Sequence, residues 1–343
     1  MIAEKHLHRE DLVGKVIDAH SHIGIALREA AQINFPYCSS AEDLAYRRKA
    51  NGVDFAVVFP ISPAFYYDLP TIVETGDLRP AARPISRVPY ERENRLLLTD
   101  VYQFCPEHSR QFLPFISVDP GRLIDEQIAS LEELEQEFPI YGVKIHPLMV
   151  QSKALALLDV GAPLLAFFAA RNWPVLVIAH IGRAYCPEDV GDAFEVLKAA
   201  RRMHFDFCAN TSAYAMEHLP RAVGPRRVLF GSDMPVVRIR MRRICERGFY
   251  INLVPRGLYG DVSDDPHMRE VGDEEGAQLS FFLYEELLAF RQAAEAVGLN
   301  AEDVADVMYN NATRLIAAAG GEIAWVHSKS VTGASLRQAQ GKL

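Results

Sequence analysis

Short apolar runs alternate with longer stretches of helical period along most of the chain, and this alternation narrows the possible folds more than any other feature. A strand that returns parallel to its predecessor needs a crossover, usually a helix, so the pattern predicts βα units around a parallel sheet. The runs fall at 16–22, 55–60, 112–119, 142–147, 174–180, 204–210 and 228–233. They are rich in Val, Ile and Phe, as strands buried on both faces are. Helical stretches lie between them at 41–50, 91–105, 123–137, 154–171, 189–201 and 213–223; in one, Ile128, Leu131, Leu134 and Phe138 recur at steps of three and four. Two further helices are read at 276–297 and 300–319, the second opened by the cap Asn300-x-x-Asp303. The segment 249–254 reads as an extra strand placed after the last barrel strand.

Length and composition exclude more than they assign. A chain of 343 residues suggests about two domains, yet α/β barrels often reach this length as one, and no Gly/Ser-rich linker divides it. We read residues 1–320 as one barrel domain with C-terminal helices and 321–343 as a polar tail. With 49% apolar and 24% charged residues, collagen-like, disordered and disulfide-scaffold classes are excluded. The net charge of −9 repels phosphate backbones, and no basic run is interleaved with aromatics, so nucleic acid is not the expected partner. The most apolar segment, 154–170, is broken by Asp159, Gly161 and Pro163 and does not span a membrane; residues 1–12 mix charges and form no secretory signal. Cys38, Cys105, Cys186, Cys208 and Cys245 form no C-x-x-C pair, and their odd number predicts a reduced, cytoplasmic protein without a disulfide framework.

The ends of the runs carry the chemistry. His20 and His22 are two apart on the first strand and so share a face at its C-terminal end. Alone, this His-x-His pair is weak evidence for a metal site and reads more readily as a core or surface pair. Lys144 and His146 close the fourth run, His180 the fifth and Asp233 the seventh. In a parallel barrel all these ends open on one mouth, where active sites are assembled. Arg183 and Tyr185 follow His180, and Arg238, Arg240, Arg242, Arg243 and Arg247 follow Asp233. The guanidinium fork suits carboxylate or phosphate, so these arginines point to an organic acid if they line the mouth, or form a solvated face or subunit contact if they do not. Tyr66, Tyr67 and Asp68 are read as a pocket wall, and 257–267 as a lid or a surface loop.

Taken in order, His20-x-His22, Gly-Val-Lys144-Ile-His146-Pro, Ile-Ala-His180-Ile-Gly, Phe-Gly-Ser-Asp233-Met-Pro and Asn310-Asn311-Ala-Thr-Arg314-Leu resemble the amidohydrolase superfamily, in its amidohydrolase-related branch. The resemblance spans residues 14–318. It implies an α/β fold, a distorted (β/α)₈ TIM barrel, complete or short of one βα unit near residue 177. It implies a divalent metal on the first-strand histidines, a mid-barrel histidine and the last-strand aspartate, here His20, His22, His180 and Asp233. Zinc is the first expectation, with manganese, iron and cobalt as alternatives. Where the family shows two histidine-bearing strands between the lysine and Phe-Gly-Ser-Asp motifs, this sequence runs Pro174-Val-Leu-Val177 directly into Ile178-Ala-His180.

Under this resemblance Asp233 and His180 are the catalytic candidates, and Lys144, His146, Arg183 and Arg238 the substrate-binding ones. The implied activity is hydrolysis of a small ester, lactone or amide. Nonoxidative decarboxylation of a small organic acid is the alternative, and a degenerate, non-catalytic barrel the second alternative. The expected partner is a small molecule, an organic acid among the options, with homo-oligomerisation left open. Lys144 is expected to pair with a carboxylate and not to bridge two metals as a carbamate.

Overall fold

The computed structural model describes residues 16–25, 38–61, 75, 82, 86–145, 154–176, 180–198, 203–235 and 237–316. At its centre is β1 (Ile17–Ile25), paired in parallel with β3 (Phe55–Pro60). The parallel sheet continues through β4 (Phe112–Ser117) and β5 (Gly142–Lys144) to β6 (Val175–Leu176), while the two-residue β2 (Cys38–Ser39) adds antiparallel to the end of β1. A second parallel pair, β7 (Phe205–Asp206) and β8 (Val228–Leu229), docks on the other edge of β1. The links are Ala19 N to Phe230 O at 2.9 Å, Asp233 N to His20 O at 2.7 Å and His22 N to Met234 O at 2.6 Å. Seven parallel strands therefore run in the order β6-β5-β4-β3-β1-β8-β7. Among the described residues no strand pairing joins β6 to β7, and an apolar cavity of about 340 Å³ lies at that seam, lined by Val175, Leu176, Met203 and Leu229.

Each crossover is helical, as the alternation predicts. Helix α1 (Ala41–Ala50) starts where the Ser40 hydroxyl accepts from Asp43 N at 3.1 Å, with Glu42 and Asp43 in its first turn and Arg47, Arg48 and Lys49 in its last, matching the helix dipole. It is followed by α2 (Glu91–Thr99), α3 (Ile124–Glu137), α4 (Ala162–Arg171), the short α5 (Pro187–Val190) and α6 (Ala193–Lys198), and α7 (Ala213–Val223), capped by Ser212. The stretch expected as one helix over 154–171 is a 3₁₀ segment, Ala154–Leu158, and then α4. Gly161 and Pro163 make the break, and Gly161 packs so closely that a Cβ would meet the Pro120 carbonyl at 2.6 Å.

Beyond β8 the extra strand exists but belongs to a separate three-stranded sheet. It is β10 (Phe249–Pro255), between antiparallel β9 (Arg242–Glu246) and parallel β11 (Met268–Val271). Residues 257–267 connect β10 to β11. The helix expected over 276–297 is two, α8 (Asp273–Gln278) and α9 (Phe282–Val297). Between them the backbone is used for pairing instead: Arg240 bridges to Phe281, and its side chain donates to the Leu279 carbonyl at 3.1 and 2.9 Å. Helices α10 (Ala301–Ala305) and α11 (Asn311–Ile316) flank a π-helical turn, and Asn300 and Asp303 form the expected reciprocal cap. Among the described residues no helix is long and apolar enough to cross a membrane.

Ile17, Ala19, Val57, Phe59, Leu113 and Phe115 pack together on one face of the parallel sheet, with Ala312 and Ile316 of α11 against them. A bulge shapes the other end of β1. Asp18 pairs with Ala56 but Ser21 with Val58, so β1 holds one residue more than β3 over this span. One extra residue reverses which face a side chain takes. Hence Ile17 and Ala19 face inward, and so do His20 and His22 beyond them.

Candidate metal centre

Several strand ends supply one cluster. The rings of His20 and His22 stand 5.1 and 5.6 Å from the ring of Phe59. Asp233, just past β8, has φ of 57° and is held beside β1 by its backbone bond to His20. A left-handed residue other than glycine is strained, and strain of this kind collects at functional sites. Gly231 permits the close approach, since a Cβ there would stand 2.7 Å from the Cβ of His20. Asp18 ties the same two segments from behind, accepting from Ser232 N at 2.8 Å, Ser232 Oγ at 2.5 Å and His20 N at 3.0 Å. Burial raises its carboxyl to about 7 despite those bonds. Lys144 comes from the end of β5 and Asp206 from β7.

His20 Nε2 and His22 Nε2 lie 3.3 Å apart, and Asp233 Oδ1 is 3.5 Å from the first and 3.2 Å from the second. The other nitrogen of each ring is already committed. His20 Nδ1 donates to Asp206 Oδ2 at 3.1 Å, and His22 Nδ1 to the Pro60 carbonyl at 3.3 Å. These partners assign tautomers that leave both Nε2 atoms bare. Two lone pairs and a carboxylate oxygen thus face one another, which is repulsive unless a positive charge lies among them. Lys144 Nζ supplies one, 2.6 Å from His20 Nε2 and 3.4 Å from His22 Nε2. Two imidazole nitrogens and a carboxylate oxygen are a donor set that divalent cations take, and a carboxylate behind a ligating histidine is its usual support. These residues fit such an ion.

The electrostatics agree with that role. Burial, followed by the Lys144 ammonium, pushes His20 down to about 3 and lowers His22, so both rings are neutral at neutral pH. Burial lowers Lys144 to about 8, against the pull of Asp233. Burial would raise Asp233, but His180, His22 and His20 more than offset it and hold its carboxyl below the usual range. Asp206 is held low in the same way by His20 and His180.

His180 adjoins this triad without being among its converging atoms. It lies in a 3₁₀ turn, His180–Arg183, at φ of 58°, and not on a strand. Its backbone N–H donates to Asp206 Oδ1 at 2.8 Å, its Nδ1 is 3.0 Å from the Cys208 carbonyl, and its ring centroid is 5.1 Å from that of His20. With His20 and Cys208 it forms a second group of metal-compatible atoms on the far side of His20. Arg183 is exposed, 5.8 Å over the ring of Tyr185. Arg238 is turned away to Asp43 on α1, at 2.8 Å. Lys144 meets histidines where a carboxylate partner was expected. His146, Tyr66, Tyr67 and Asp68 lie outside the described residues.

Asp206 and Cys208 were not singled out in the sequence, although they alternate on the run 204–210 as inward residues do; Cys208 Sγ donates to Asp206 Oδ1 at 2.8 Å. The reading of the cysteines is corrected: Cys186 and Cys245 are joined in a disulfide, with Cα atoms 5.6 Å apart, while Cys105 and Cys208 are buried thiols. The partners are 59 residues apart and meet only because β9 folds back on the turn after His180, so no local spacing announces them.

A solved amidohydrolase from Burkholderia multivorans, crystallised with HEPES, matches this architecture with a TM-score of 0.52 at 14% identity, covering 89% of this chain and 99% of its own. This chain shares the fold of that protein. It is also similar to a zinc-bound crystal form of an amidohydrolase from Burkholderia multivorans (TM-score 0.49, 15% identity, 89% and 99% covered). A candidate 2-pyrone-4,6-dicarboxylic acid hydrolase from Pseudomonas putida gives 0.49 at 16% identity, with 90% and 98% covered. No protein-family model matches the chain, and comparison with curated proteins gives no match.

Proposed function

We propose that this protein is a metal-dependent hydrolase of the amidohydrolase type, acting on a small ester, lactone or amide. The observation that carries the reading is the convergence of His20 Nε2, His22 Nε2 and Asp233 Oδ1, with Asp206 fixing the tautomer of His20. His20, His22 and Asp233 would hold the ion. A divalent cation there supplies Lewis acidity, polarising a carbonyl and making water a nucleophile at neutral pH.

The chain's own residues do the rest. Asp233, ionised at neutral pH, takes the proton of the attacking water at Oδ2 and returns it to the leaving group. Lys144 Nζ, beside His20 Nε2, donates to a substrate oxygen bound there. His180, at the same opening, orients the leaving group. The candidate ligands come from β1 and from the turn after β8, which pair with each other and do not depend on the seam between β6 and β7.

The test is a panel of small aryl esters, lactones and anilides assayed with purified protein, with and without a chelator, alongside a panel of aromatic and unsaturated acids monitored for carbon dioxide. Chelator-sensitive ester or lactone cleavage that Asp233→Asn abolishes supports the reading. Carbon dioxide release without hydrolysis overturns it in favour of the decarboxylase, and inertness of a metal-loaded protein toward both panels in favour of a binding role.

A further inference from the structure

The arginines after Asp233 meet different fates. Arg238 pairs with Asp43, Arg240 donates to backbone carbonyls beside α9, and Arg242 faces Glu285 at 3.5 Å. Arg243 differs. Neighbouring positions on a strand face opposite ways, so on β9 it shares a face with Cys245, away from Arg242. Its Nε donates to Asn252 Oδ1 at 2.8 Å and its Nη1 to the Ala209 carbonyl at 2.6 Å. Its guanidinium lies 4.1 Å over the Tyr185 ring, 5.1 Å from that of Tyr250 and 5.0 Å from that of Phe282. All of these partners are neutral, and among the described residues no carboxylate lies within ion-pairing distance of it. A guanidinium has more donors than these partners use, and a partly buried cation with no carboxylate hydrogen-bonded to it keeps donors for an anion.

The position adjoins the candidate centre. Arg243 Nη1 reaches the carbonyl of Ala209, next to Cys208, whose Sγ lies 3.1 Å from His20 Nδ1 and 3.2 Å from His180 Nδ1, and the Asp233 carboxylate acts on both Arg243 and Tyr185. Arg183 approaches the Tyr185 ring as well, from an exposed position. Tyr185 is followed by Cys186, which is bonded to Cys245, and Cys245 stands two residues from Arg243 on the same strand face. The disulfide therefore fastens the turn that carries Arg183 and Tyr185 to the strand that carries Arg243, fixing the wall in one piece.

We propose that Arg243, with Tyr185 and Arg183, is a carboxylate-binding subsite, so that the substrate is a small organic acid whose carboxylate is anchored on β9 while its scissile bond lies at Asp233. The proposal rests on the reading of His20, His22 and Asp233 as the reacting centre. It gives the separate three-stranded sheet a function: a wall that selects anionic substrates.

Benzoate and its neutral isostere benzamide are the probes, titrated calorimetrically into the full chain, both metal-loaded and chelated. Wild type is expected to bind benzoate roughly tenfold or more tighter than benzamide, the range of a charge-assisted hydrogen-bonded pair. Arg243→Met brings benzoate to the benzamide level. Arg243→Lys recovers only part, because an ammonium lacks the planar fork. Arg183→Met, a change at an exposed side chain, weakens benzoate but not benzamide and guards against a misfolded Arg243 variant. Folded Arg243→Met and Arg183→Met proteins that bind benzoate as wild type does overturn the subsite, as does equal binding of benzoate and benzamide by wild type. Arg243-dependent binding in a protein that hydrolyses nothing overturns the hydrolase reading alone.

Discussion

Asp206→Asn tests the support of the proposed centre without touching a ligand. In the native protein Oδ2 accepts from His20 Nδ1 at 3.1 Å, while Oδ1 accepts from His180 N at 2.8 Å and Cys208 Sγ at 2.8 Å. An asparagine offers one oxygen and one NH₂ group, so whichever way the amide turns, its NH₂ meets a donor. With the oxygen kept toward the fixed backbone N–H of His180, the NH₂ faces His20 and favours the tautomer with its proton on Nε2. That proton blocks the atom that faces His22 and Asp233. Losing such a partner typically weakens metal affinity by about 10–100-fold, which corresponds to roughly 1.4–2.8 kcal/mol. The metal-free protein loses stability as well, by about 1.5–3 kcal/mol for a buried hydrogen bond to a charged group. The assay is a competition titration of zinc against a chromogenic chelator, with a thermal melt of the metal-free protein beside it. Wild-type zinc affinity in a folded Asp206→Asn protein refutes the claim that Asp206 sets the His20 tautomer.

Three further outcomes are expected. Gly231→Ala sets a methyl 2.7 Å from the His20 Cβ and destabilises by about 1–3 kcal/mol as an overpacked site; denaturant unfolding reads the loss, and metal affinity falls with it as His20 is displaced. Glu286 on α9 is fully buried with neither carboxylate oxygen hydrogen-bonded, and burial, followed by Asp18, Asp233 and Asp206, raises its pKa well above the ordinary value. Its contribution to stability is complete below the unfolded-state pKa and is lost as pH rises toward the folded one, so the melting temperature of Glu286→Gln should gain on wild type with rising pH, and parallel curves for the two proteins count against a buried neutral acid. Non-reducing peptide mapping should recover the Cys186–Cys245 cross-link, and Cys186→Ser should cost about 2–4 kcal/mol in unfolding experiments.

The parts of the fold that the sequence discloses are those governed by local pattern. Helices α1 and α7 appear over the residues expected, because their serine caps and charge order are local signals. Strand β3 likewise matches its apolar run. Strand β7 keeps two residues of its expected run, since at the seam it lacks a second neighbour among the described residues to extend its ladder. The bulge in β1 is a property of its pairing with β3 and leaves no trace in composition, though it decides that His20 and His22 face inward. The strand-end pattern identified His20, His22, Lys144 and Asp233 because a parallel sheet gathers its C-terminal ends by topology. It did not single out Asp206, nor separate Arg243 from the other arginines after Asp233. The first is recognisable only beside the histidine it supports, and the second stands in a run of arginines whose members differ solely in what they meet. The disulfide was hidden for the same reason.

Whether His20, His22 and Asp233 hold one divalent cation is decided by metal analysis of the purified full chain after incubation with excess zinc and exhaustive dialysis, beside folded His22→Ala and Asp233→Asn proteins. About one tightly held ion per wild-type chain is expected, and little in either variant. A wild-type protein that retains no ion, or variants that retain as much as wild type, would contradict this assignment.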